Sequence, residues 1–120
     1  MVEQKRIKDL GPDAPIVTNA KGGEQSACPY AFHLLDGDAM FRLASILAYG
    51  AERYEPNNWR RIDLKDHLNH ALQHIMAYLA GDTQDDHLGH AFCRMMFVIA
   101  MEEEGQVYDA RAIPKVENTQ

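Results

Sequence analysis

Apolar residues recur at steps of three and four in three stretches of the chain, the spacing that aligns one face of an α-helix. The first opens at Asp38, which caps or begins it, and DAMFRLASILAYGAERY sets Met40, Leu43, Ala44, Leu47, Ala51 and Tyr54 on a common side. The turn formers of EPNNWRR, a proline and two asparagines, stop it. A second stretch, roughly Leu64 to Ala80, aligns Leu64, Leu68, Ala71, Leu72, Ile75 and Leu79, with Asp63 as the expected N-cap and Gly81 as the C-terminal break. A third runs from near Asp85 to about Glu104 and aligns Leu88, Ala91, Phe92, Met95, Met96, Ile99 and Ala100, and Gly105 ends it. A linker of about four or five residues forces the second and third helices into an antiparallel hairpin. Before Asp38, Gly11-Pro12, Pro15, Gly22-Gly23, Pro29 and Gly37 interrupt every periodic run, and only Ala14 to Thr18 resembles a strand. The prediction is a single-domain, all-α protein: an irregular N-terminal arm (1–37), a small bundle of three long helices (38–105) and a short C-terminal tail (106–120).

Composition narrows what such a bundle does. At 120 residues, 46% hydrophobic and 25% charged, the chain is one globular domain's worth, and wholesale disorder is excluded. Twelve Lys and Arg against eighteen Asp and Glu leave a formal charge of −6. With no cluster of cations to offset it, duplex nucleic acid is repelled. Cys28 and Cys93 share no CxxC spacing, which argues against a zinc ribbon or a disulfide framework and for a reducing cytoplasm. MVEQKRIKDLGPDAP lacks the apolar core of a signal peptide, and no run of about 18 apolar residues exists to span a bilayer.

Candidate chemistry concentrates in the hairpin, which holds five of the six histidines. Offsets of zero, three and seven fall within about 60° of one another on a helix, so His67, His70 and His74 form one stripe. His87, His90 and Arg94 repeat those offsets, and antiparallel pairing brings His74 near the level of His90. Asp82, Asp85 and Asp86 lie at the same end of the hairpin, where Asp85 and Asp86 suit helix capping as well as catalysis. The first helix carries a polar line of Asp38, Arg42, Ser45, Tyr49 and Glu52, with Glu55 beyond; Glu52 and Glu55 have a spacing that suits a divalent cation but is common on exposed helices. Trp59 either anchors the loop in the core or stacks on a base, and Arg60 beside it is a candidate phosphate contact. KGGEQS lacks the ending and the strand-helix frame of a phosphate-cradling loop. The methionines and Cys93 fit core packing, and Glu102 to Glu104 a solvated run.

In this order the segments KGGEQS, YAFHLL, DAMFRLASILAYGAERY, EPNNWRR, ALQHIMAYLAGD and HLGHAFCRMMFVI resemble the phage dATP/dGTP diphosphohydrolase family, relatives or analogues of the MazG-like all-α nucleotide pyrophosphohydrolases. The resemblance runs from about Lys21 to Ile99 and is most specific in the YGAxxYxxNNW and HLxHA elements. It implies hydrolysis of a deoxynucleoside triphosphate to monophosphate and pyrophosphate with a divalent cation. It also implies a homodimer or homotetramer with sites at or near subunit interfaces. His74, Asp82, His87 and His90 coincide with recurrent polar positions of the family. Asp38 stands where the family usually has Glu, Glu24 where a basic residue is frequent and His33 where an acidic one is common. The loop after Gly81 is shorter, and His87-x-x-His90 replaces the second carboxylate pair of the MazG pattern.

The expected function is therefore metal-dependent cleavage of dGTP or dATP by water at the α phosphorus. His74, His90 and Asp86 are the expected catalytic groups. Asp38, Glu52, Asp82 and Asp86 are the expected ligands of Mg²⁺ or Mn²⁺. Arg60, Trp59, Arg94, His70 and His87 are the expected substrate contacts. Two alternatives stand beside it: a nucleotide-binding protein that sequesters a signalling nucleotide without cleaving it, and a histidine-carboxylate hydrolase that releases intact triphosphate.

Overall fold

The computed structural model describes residues 5–111, so the first four residues and most of the expected tail, 112–120, lie outside the described residues. The chain divides after Asp36 into two units. In the first, Ile16–Thr18 (β1) and Glu24–Ser26 (β2) pair antiparallel, with Ile16 opposite Ser26 and Thr18 opposite Glu24. Asn19 closes this hairpin: its side-chain oxygen accepts from the backbone N–H groups of Lys21 and Gly23, both at 2.9 Å. Gly22 takes φ +84°, a conformation that residues with a Cβ rarely adopt. The strand expected within Ala14 to Thr18 is present. Its partner, which lies in KGGEQS, escapes a search for periodicity because a solvent-exposed ribbon needs no apolar alternation. The arm is thus corrected from irregular to one built on a β-hairpin.

The second unit holds Gly37–Arg53 (α1), Leu64–Leu79 (α2) and His87–Glu103 (α3), close to the expected limits. The protein is mostly helical, with three helices and one small two-stranded sheet. α2 and α3 pack together along their length, and α1 packs on α3. Both hairpin helices end in glycine with positive φ: Gly81 at +86° and Gly105 at +98°. In each case the next two N–H groups turn back to the last helical carbonyls, Gly81 to Tyr78 and Asp82 to Ala77, Gly105 to Glu102 and Gln106 to Met101. These bonds satisfy acceptors that would otherwise be orphaned at the helix end. Asp86 caps α3 by accepting from Gly89 N–H, whereas Asp63 sits at the N-cap of α2 with no side-chain capping bond.

Between α1 and α2, Asn57 takes the left-handed conformation, φ +66°, that asparagine tolerates better than most residues. A 3-10 turn, Asn58–Arg61, follows. It places Trp59 against the core, where its ring stacks on Phe97 at 4.4 Å. That core consists of Leu64, Val98 and Met101, with Trp59 and Leu68 packed on it, and Met101 is 1% exposed. His67 is wholly buried beside it. Among the described residues no helix is long and apolar enough to cross a membrane.

Which apolar face is covered differs from expectation. On α3, Ala91 is buried as expected, but Leu88, Phe92, Met95 and Ile99 are exposed, while His87, Cys93, Val98 and Met101 are buried instead. On α2, Leu72, Met76 and Leu79 are exposed. A helix that is apolar almost all round does not announce which side its neighbours will cover. In an antiparallel hairpin the two exposed stripes fall on the same side, away from the face of α3 that meets α1.

Candidate functional site

α2 and α3 run in a register that sets His74 beside His87 and His90, and His67 beside Arg94. The His74 ring stacks on His90 with centroids 5.0 Å apart and tilts against His87 at 5.2 Å. His87 is buried and its Nε2 lies 2.6 Å from an Asp82 oxygen, so it donates to that carboxylate. Its Nδ1 lies 2.9 Å from Nδ1 of His74. One ring donates to the other through these two nitrogens. Burial, then the neighbouring His90 and His87, lower the pKa of His74, which keeps its ring neutral near pH 7. The bond from His87, with a backbone donation from Gln84, lowers that of Asp82.

His90 pairs in turn with Asp85, Nε2 to Oδ1 at 3.2 Å. These two residues line an open depression of about 340 Å³ together with Ser45, Ile46, Tyr49 and Arg53 of α1. Arg53 donates to the Tyr49 hydroxyl and lies over the rings of Tyr49 and Tyr54, 5.5 Å from each centroid. Arg94 follows His90 by one turn, half-buried, and desolvation lowers its pKa. In the helical unit Arg42, Arg60, Arg61 and Arg111 each pair with a carboxylate; among the described residues Arg53 and Arg94 do not.

The expected site residues divide into those that converge here and those that do not. His74, His87, His90 and Asp82 meet, and Arg94 adjoins them. Asp86 is occupied: Arg42 donates to both carboxylate oxygens, Nε at 2.9 Å, while Gly89 N–H donates at 3.0 Å. The Arg42 hydrogen bond foremost holds its pKa down to about 2. The carboxylate facing the depression is Asp85, its neighbour. Trp59 has Phe97 stacked on its ring and the Arg60 guanidinium 4.3 Å from its centroid, leaving no open face for a base. Arg60 also pairs with Glu104, fourteen residues beyond His90 along α3, or about 21 Å. His70 is exposed and acts electrostatically on His67.

The four expected metal ligands do not assemble in one chain. Asp38 and Glu52 lie fourteen residues apart on α1, about 21 Å along its axis. Asp82 and Asp86 are committed to His87, Gln84, Arg42 and Gly89. Among the described residues no three His, Cys, Asp or Glu side chains are placed to hold a metal ion.

Sequence reasoning passed over Arg53, and it chose Asp86 over Asp85 as the site group without foreseeing that Arg42, on the polar line of α1, pairs with Asp86. Arg53 is four residues past Tyr49, so the polar line of α1 continued through a step of four where Glu52 was read three residues on. For Asp85 against Asp86 no signal exists in the sequence, since either can cap a helix that starts one residue later.

The family model described as dATP/dGTP diphosphohydrolase, N-terminal, matches residues 19–111. No curated protein and no solved structure matches the chain.

Proposed function

The chain belongs to the dATP/dGTP diphosphohydrolase N-terminal family, and from that premise we propose that it hydrolyses dATP or dGTP to the monophosphate and pyrophosphate. The observation that carries this reading is two arginines that, among the described residues, have no carboxylate partner: Arg53, which lines the depression with His90 and Asp85, and Arg94, one helical turn beyond His90 on α3. Cations left uncompensated beside an open polar depression suit a polyphosphate, which the bidentate guanidinium geometry recognises. Asp85 lies against Nε2 of His90, and in this reading Nδ1 takes the proton of the attacking water. A water oxygen bonds to the α phosphorus, the bond from that phosphorus to the bridging oxygen breaks, and pyrophosphate leaves with the electron pair. His74 keeps the His90 ring in place by stacking, and Asp82 and His87 hold His74. Mg²⁺ or Mn²⁺ enters this proposal as the counter-ion of the nucleotide's phosphates.

The proposal includes a homodimer or a dimer of dimers. Leu72, Met76, Leu79, Leu88, Phe92, Met95 and Ile99 are 39–70% exposed on one side of the hairpin, a contiguous apolar face of the kind that marks a protein contact. A two-fold axis through such a face makes a self-complementary contact.

Incubation with each deoxynucleoside triphosphate and Mg²⁺ or Mn²⁺, with products resolved by chromatography, tests the chemistry. Purine monophosphate and pyrophosphate are expected, and His90→Asn lowers kcat by about 100-fold or more. Nucleoside with intact triphosphate would assign cleavage to the bond between the sugar oxygen and the α phosphorus. Unaltered nucleotide, recovered bound to the protein, would leave binding without catalysis.

A further inference from the structure

His67 has no place in the mechanism above, yet its ring is wholly buried and both nitrogens are engaged. Nε2 lies 2.8 Å from the Trp59 carbonyl, which can only accept, so Nε2 carries the proton. Nδ1 lies 3.0 Å from Nη1 of Arg94, which can only donate, so Nδ1 carries the lone pair. The two contacts together fix one neutral tautomer. Burial, with Arg94 and His70 adding to it, lowers the pKa of His67, while the Trp59 bond and Asp66 oppose that change. Asp66 also acts on Arg94 at longer range, with Tyr54 and Cys93, but makes no ion pair with it. Phe97 closes the remaining side of the ring, edge-on at 5.4 Å.

We propose that His67 is a positioning residue for Arg94, which it aims as the principal phosphate anchor of the site without neutralising it. A carboxylate at position 67 would hold the guanidinium more strongly but would cancel the charge that draws an anion. A neutral imidazole supplies one directed acceptor and leaves the positive charge and the remaining N–H donors for the ligand. The Trp59 carbonyl sets the tautomer, so the turn after Asn57 acts on the site without touching substrate. This deepens the phosphate-binding reading of Arg94 and rests on it.

Inorganic tripolyphosphate, which has no base to recognise and requires no hydrolysis, is the probe, titrated calorimetrically into the full chain. Arg94→Gln and His67→Leu are each expected to weaken binding at least tenfold. His67→Gln, whose amide both donates and accepts, should stay within threefold of the parent. The double variant His67→Leu with Arg94→Gln should bind no more weakly than Arg94→Gln alone, because His67 acts only through Arg94. A separate loss from His67→Leu in the Arg94→Gln background would overturn the proposal, as would unimpaired binding by Arg94→Gln or no binding by the parent chain. Thermal unfolding of each variant identifies misfolding; if His67→Leu does not fold, His67→Met takes its place, with the same tenfold loss expected and unimpaired binding by the folded variant overturning the proposal. Arg94-dependent binding without any monophosphate from dATP or dGTP would remove the hydrolytic reading and leave the anchor standing.

Discussion

Gly89 to Ala is the substitution on which local and tertiary effects disagree in sign. Gly89 lies in the first turn of α3, where alanine is favoured over glycine by up to about 1 kcal/mol of helix propensity. The tertiary surroundings oppose it. A Cβ at position 89 would stand 2.3 Å from Cδ1 of Ile46 and 2.4 Å from Oδ2 of Asp86, well inside contact distance. Ile46 can relieve its contact by leaving its rotamer, at a cost of about 1 kcal/mol. Asp86 cannot yield freely, because the same carboxylate accepts from Arg42 and caps α3. Losing that cap costs about 1 kcal/mol, and the partly exposed ion pair adds a few tenths. The sum is a net destabilisation of about 1 kcal/mol. Urea unfolding followed by circular dichroism measures it. The same substitution in an Ile46→Val background, which lacks the clashing Cδ1, should recover most of this cost, a coupling that a double-mutant cycle resolves. A more stable Gly89→Ala protein, or no coupling to Ile46→Val, would show that α1 does not approach α3 at this glycine.

Other consequences follow from the same contacts. Met101→Ala removes a 1%-exposed side chain at the centre of the core and should cost about 2–5 kcal/mol in urea unfolding. Asp86→Asn keeps a capping oxygen and loses the charge, so it should cost less than Asp86→Ala, which loses both. His67 and His74 both have folded-state pKa values below the unfolded value of about 6.5. Above that value both states are neutral and their stability contribution is complete; as pH falls through it, the unfolded chain takes up protons first. Urea midpoints should therefore drop as pH falls below about 6.5, and His74→Gln should flatten the drop; an unchanged slope would refute a neutral His74 in the folded state. Light scattering after size exclusion should report a dimer or tetramer, and Phe92→Glu with Ile99→Glu should convert it to a monomer.

The three helices, the hairpin and the meeting of His74 with His90 were all legible in the residue pattern. Each depends on short-range geometry: a period of 3.6 residues, a glycine at a helix end, a linker too short for anything but reversal. What escaped depends on how each helix is rotated about its axis and on which groups find partners across the fold. Asp85 and Asp86 are equivalent as letters; only the approach of Arg42 from α1 commits Asp86 to an ion pair and leaves Asp85 facing the depression. Arg60 and Arg94 look alike as candidate phosphate contacts until Glu104 is found beside one and neutral His67 beside the other. The apolar faces of α2 and α3 were visible as composition, but which of them water still reaches was settled by the side on which α1 packs. Spacing along a chain constrains a residue's direction on its own helix, whereas charge compensation and burial are properties of pairs distant in sequence.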